Sequence, residues 1–69
     1  MTQVEKVSKY MDDFGSISTM EAFTELGITR LASRIHDLTR MGTPIIKKME
    51  SGTNRYGETV HYMRYSKGA

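Results

Sequence analysis

At 69 residues the chain is about half the commonest single-domain length, which leaves room for one small domain and excludes a second domain, a repeat array or a large enzymatic scaffold. It has no cysteine, so neither a disulfide framework nor a thiolate metal site can compensate for a core that buries only ~60% of the unfolded surface. The formal net charge of +2 conceals a division: residues 1–26 carry two basic and five acidic side chains, net −3, whereas residues 27–69 carry eight and three, net +5. A hydrophobic fraction of 38% with 26% charged residues is not a disordered composition, and no uncharged run approaches the length of a membrane span. The opening Met1-Thr2-Gln3-Val4-Glu5-Lys6 lacks a basic segment leading into an apolar one, so the expectation is a soluble, cytoplasmic protein with no membrane partner.

Val4, Val7, Met11 and Phe14 recur at spacings of three, four and three, which puts them on one stripe of a first helix. Thr2 and Glu5 stand at the capping-box spacing and Gly15 provides the stop. Ser16-Ile17-Ser18 is too short and β-branched for a helix and reads as a connector able to add a short strand to a sheet. Ser18 and Glu21 repeat the capping-box spacing ahead of a two-turn second helix with Met20, Ala22, Phe23 and Leu26, closed by Gly27. In Gly27-Ile28-Thr29 the glycine permits a tight turn, Ile28 plugs the corner and Thr29 is placed to cap the next helix. That third helix, Arg30 to Met41, packs Leu31, Ile35 and Leu38 inward and ends at Gly42 before Pro44.

Beyond Pro44 the pattern becomes extended. Residues 45–50 and 59–65 are rich in β-branched and aromatic side chains and flank a turn cluster whose tip is Asn54 to Gly57, so the chain ends in a β-hairpin. The domain is expected to span residues 1–66, with 67–69 a frayed tail. Most of the six methionines, Met11, Met20, Met41, Met49 and Met63 among them, read as core fillers.

Helix, connector, helix, glycine turn, helix and hairpin is the element order of a winged helix-turn-helix, an α+β fold. The stretch from Gly15-Ser16-Ile17-Ser18 through Leu26-Gly27-Ile28-Thr29-Arg30 to Leu38, with Pro44-Ile45 and Asn54-Arg55-Tyr56-Gly57, resembles small winged helix-turn-helix proteins of bacteriophages and prophages over nearly the whole chain. The resemblance implies a DNA-binding or regulatory role in a bacterial host cell.

Opposite the Leu31–Ile35–Leu38 stripe, at roughly 160–260° on a 100° wheel, the third helix presents Thr29, Arg30, Ser33, Asp37 and Arg40, with Arg34 on the flank. An α-helix fits the major groove, Arg bonds guanine edges in bidentate fashion, and Ser or Thr contacts bases or phosphate. Arg30 and Ser33, near the helix start, are the base-reading candidates; Arg34 can reach phosphate or pair with Asp37, whose carboxylate works against DNA contact. The hairpin adds Lys47, Lys48, Asn54, Arg55, Tyr56 and Arg64, and a four-residue tip sets Lys47 opposite Arg64, a like-charge pair that a phosphate would relieve. The expected partner is double-stranded DNA, bound as a homodimer or cooperative array because one module this small covers little of a site. The alternative is a winged-helix module that binds a host protein through the acidic surface of the first two helices. His36 and His61 lack a partner set for a metal, and no phosphate loop, nucleophile elbow or paired carboxylate is present, so neither cofactor, small-molecule substrate nor catalysis is expected.

Overall fold

A computed structural model describes residues 1–68. The chain runs α1 (Gln3–Phe14), β1 (Ile17–Ser18), α2 (Thr19–Leu26), α3 (Leu31–Arg40), β2 (Ile45–Thr53) and β3 (Thr59–Lys67). The strands form one antiparallel sheet in the order β1-β3-β2, giving three helices packed on a hairpin wing with a short third strand. This is the α+β winged helix-turn-helix arrangement that the element order predicts.

The helix starts are set locally. Thr2 Oγ1 accepts from the Glu5 N–H at 3.1 Å while Glu5 Oε1 accepts from the Thr2 N–H at 2.7 Å. Ser18 and Glu21 make the same exchange at 3.1 and 2.9 Å. Each box satisfies two backbone donors that a helix start otherwise leaves unpaired. Gly15 and Gly27 end α1 and α2 with φ of 87° and 69°, a left-handed conformation that costs glycine little. From Gly27 the chain drops Ile28 directly into the core.

The core joins Val7 and Met11 of α1, Ile17 of β1, Ala22 of α2, Ile28, the Leu31–Ile35–Leu38 stripe of α3 and Tyr65 of β3. Ile17 pairs with Tyr65 across the β1–β3 ladder, so two residues of connector are enough to bind the sheet to the helices. Each buried Leu or Ile contributes ~1.5–3 kcal/mol of apolar burial, a large share for a domain of this size.

Five expectations are corrected. The N-cap of α3 is Arg30, not Thr29, and no side chain caps it; the turn brings the chain into the helix one residue later than the Thr29 reading, with the Arg30 carbonyl accepting from Ser33 and Arg34 at 3.1 and 3.3 Å. Phe14 is exposed although it continues the α1 stripe, because it is the last helical residue and overhangs the core, its ring resting 4.6 Å from that of Tyr10. Met20, Met41 and Met49 are also exposed, leaving Met11 as a core filler and Met63 packed at the margin. The hairpin pairs Thr53 with Thr59, so its tip holds five residues, and Lys48 rather than Lys47 stands opposite Arg64. Finally, residue 67 is no tail: Lys67 pairs with Ile45 and bonds Asp12 at 2.8 Å, and the Gly68 N–H donates to the Pro44 carbonyl at 2.8 Å. Of the expected tail only Ala69 lies outside the described residues.

Candidate nucleic-acid interface

With Leu31, Ile35 and Leu38 turned inward, α3 shows Ser33, His36 and Arg40 to the exterior, and Thr29 and Arg30 are exposed at its start. Arg34 is half-buried. Its Nε lies 3.5 Å from Asp37 Oδ2, within ion-pair range but not aligned for a hydrogen bond, and that nitrogen has no hydrogen-bond partner. Asp37 and Arg34 thus offset one another's charge, and the carboxylate that opposes phosphate is partly neutralised within the helix.

The wing tip is organised by Asn54. Its Oδ1 accepts from the Tyr56 and Glu58 N–H groups at 2.9 and 3.0 Å, its Nδ2 donates to Glu58 Oε1 at 3.1 Å, and its own N–H donates to the Glu58 carbonyl at 3.0 Å. These bonds hold a five-residue tip, one residue longer than the four expected from the sequence. They also commit the Asn54 side chain to the tip itself. Arg55 and Tyr56 are left projecting, Tyr56 82% exposed. Lys47 and Lys48 are exposed mid-strand, and since adjacent strand residues alternate in direction they emerge on opposite faces of the wing.

Arg64 behaves differently from the other cations. Its Nη1 donates to Ser16 Oγ at 3.0 Å and to Glu21 Oε1 at 2.9 Å, and its Nε donates to Glu50 Oε1. The bond to Glu50, with the Glu21 carboxylate beside it, holds the guanidinium pKa above its ordinary value against the opposing effect of burial. Burial raises the Glu21 pKa, but the Ser18 N–H and Arg64 outweigh it and leave the carboxyl below the usual range. Arg64 thus has three partners within the fold, and the sequence offers no hint of them, because they lie 14 to 48 residues away.

The distribution of ion pairs sharpens the charge division. Among the described residues Lys9, Arg34, Arg64 and Lys67 are paired with carboxylates, whereas Lys6, Arg30, Arg40, Lys47, Lys48 and Arg55 are in no ion pair. Five of these six lie on α3 or the wing. On the acidic side Asp12 and Glu21 are paired with Lys67 and Arg64 of the second half, which offsets two of the three net negative charges of the first 26 residues, while Asp13 pairs with Lys9 and Glu5 is held in its cap. Surface cations left without partners on two neighbouring elements outnumber the carboxylates there, Asp37 on α3 and Glu50 and Glu58 on the wing, and create a net positive field.

A groove also runs between α2 and the wing, with Met20, Phe23 and Ile28 on the helical wall and Gly52, Val60 and Tyr62 on the other. Sequence reading missed it: Phe23 lies one position from buried Ala22 on a helix whose inward face is only that narrow. Among the described residues no group of three or more His, Asp or Glu side chains is placed to hold a metal ion, and no helix is long and apolar enough to cross a membrane.

A family model described as a winged helix-turn-helix domain matches residues 2–66. No curated protein and no solved structure matches the chain.

Proposed function

The chain belongs to the winged helix-turn-helix domain family, and from that membership we propose that it is a sequence-specific double-stranded DNA-binding protein, a transcriptional regulator or accessory factor of a phage or mobile element. In this reading α3 enters the major groove with Arg30 and Ser33 toward base edges, and Thr29, Arg34 and Arg40 lie along the flanking backbone. The wing brings Lys47, Lys48, Arg55 and Tyr56 to phosphates or the adjacent minor groove. Asn54 shapes the tip that carries Arg55, and Asp37 keeps Arg34 in place. The protein acts in the cytoplasm of a bacterial host as a dimer or cooperative array, since a single small module buries limited area on DNA.

The observation that carries this reading is the set of five cations at the N-cap of α3, on α3 and on the wing that are in no ion pair among the described residues. The resemblance to phage and prophage proteins supports the biological setting. The alternative, a protein-binding module using the acidic face, loses support because most carboxylates of that face are already engaged.

Mobility shift with random duplex over a salt series tests the proposal. Binding at about 50 mM salt should weaken with a log-log slope of about −4 to −5, the value for ~5 neutralised phosphates. No binding at that salt, or a flat salt dependence, would overturn it and favour a protein partner.

A further inference from the structure

The groove between α2 and the wing leaves Met20, Phe23 and Val60 exposed, so apolar packing does not lock these two walls together along it. At the end nearest β1, where Ser18 pairs with Arg64, the walls are joined by polar bonds instead. Arg64 stands on β3, Glu50 on β2, Glu21 on the first turn of α2 and Ser16 just before β1; one guanidinium holds all three partners. Glu21 is in turn fixed by accepting from the Ser18 N–H, so the clamp ends on the α2 cap rather than on a free side chain.

From this geometry we infer that Arg64 is the positioning residue of the interface: it sets the angle between the wing and the helix-turn-helix, without touching DNA itself. The inference rests on the DNA-binding reading above. The lever is long. From Lys48, opposite Arg64, to Asn54 the strand rises roughly 20 Å at ~3.3 Å per residue, so a tilt of about 10° at the clamp moves the tip ~3.5 Å. That is the axial distance between successive phosphates on one strand, ~3.4 Å, and is enough to take Arg55 off its contact while Arg30 stays on its own. The planar fork of arginine spreads its donors over separate nitrogens, Nε to Glu50 and Nη1 to Ser16 and Glu21; a lysine ammonium at the same place keeps the charge and three donors but gathers them on one nitrogen and loses the span.

The test compares Arg64→Met and Arg64→Lys with the unaltered chain, alone and combined with Arg55→Ala or Arg30→Ala, in titrations of duplex DNA. Both Arg64 variants should weaken binding about eightfold at 0.1 M salt, the loss of one phosphate contact at a slope of ~0.9. Arg55→Ala should then cost nothing further, while Arg30→Ala keeps its full cost. Residual dipolar couplings without DNA should report a changed orientation of β2–β3 relative to α3. Unaltered binding by Arg64→Lys, a fully additive cost of Arg55→Ala, or unchanged couplings would overturn the inference. Should Arg64→Met fail to fold, Glu50→Ala, which removes the acceptor of the Arg64 Nε bond and leaves the α2 capping box intact, must show the same non-additivity with Arg55→Ala, and its absence is equally fatal. If the unaltered chain binds no duplex, the DNA reading itself falls and takes this inference with it, whereas binding with additive variants sinks only the role of Arg64.

Discussion

Lys48 and Arg64 face one another across the β2–β3 ladder, yet Arg64 is held between Glu21 and Glu50 while Lys48 has no ion-pair partner among the described residues. Two like charges at one rung would repel; the carboxylates absorb one of them and leave the other available. Lys48→Ala should therefore change stability by no more than ~0.5 kcal/mol and reduce the slope of log affinity against log salt by about one. Thermal unfolding and a salt titration measure both, and an unchanged slope would remove Lys48 from the interface.

The α3 stripe and the α1 overhang make a matched pair for stability. Ile35 is 2% exposed and enclosed by the core, so Ile35→Ala should cost ~2–5 kcal/mol, a large part of what a domain of this size possesses. Phe14 is larger but 71% exposed, and Phe14→Ala should forfeit little beyond its tilted ring contact with Tyr10, ~0.5–1.5 kcal/mol. Urea midpoints would reverse this order if the core lay elsewhere.

Acid should loosen the α2 start. The folded-state carboxyl of Glu21 titrates below its ordinary range, despite burial pushing it up, because the Ser18 N–H and Arg64 favour its ionised form. A depressed carboxyl contributes stability that is fully present above the unfolded pKa and is lost as pH falls through the lower folded value. Glu21→Gln retains an oxygen for the capping box but removes the charge, so it should be less stable than the parent at about pH 7 and converge toward it at about pH 3. A stability difference that persists unchanged over this range would mean that the Arg64 pairing contributes nothing to folding.

What the sequence conveyed and what it withheld divide by separation along the chain. Thr2 with Glu5, Ser18 with Glu21, and the glycines at 15 and 27 act within one helical turn, so their chemistry is visible in the order of residues. The inward face of α3 follows from a period of 3.6. The wing register does not, because it depends on an Asn54 side chain that widens the tip to five residues, and one residue of slip moves every cross-strand partner. The role of Arg64 is hidden most deeply: as a basic residue on the hairpin it reads as a phosphate contact, and only the fold brings Ser16, Glu21 and Glu50 around it.

Reading and anchoring should separate between Arg30 and Arg55, for reasons of placement rather than charge, since both are exposed and in no ion pair among the described residues. Arg30 holds the N-cap position of α3, where a bidentate contact to guanine would discriminate by ~1–3 kcal/mol. Arg30→Ala should accordingly relax preference for the best site while affinity for random duplex falls less. Arg55 sits on the tip ordered by Asn54, from which backbone is easier to reach than a major-groove base edge. Arg55→Ala should weaken all sequences alike and lower the salt slope by about one unit. A site selected from a random library, titrated with both variants beside a scrambled duplex, measures the contrast. Equal losses on both duplexes for Arg30→Ala would mean that α3 grips only the backbone, and that specificity resides in the wing or in the shape of the DNA.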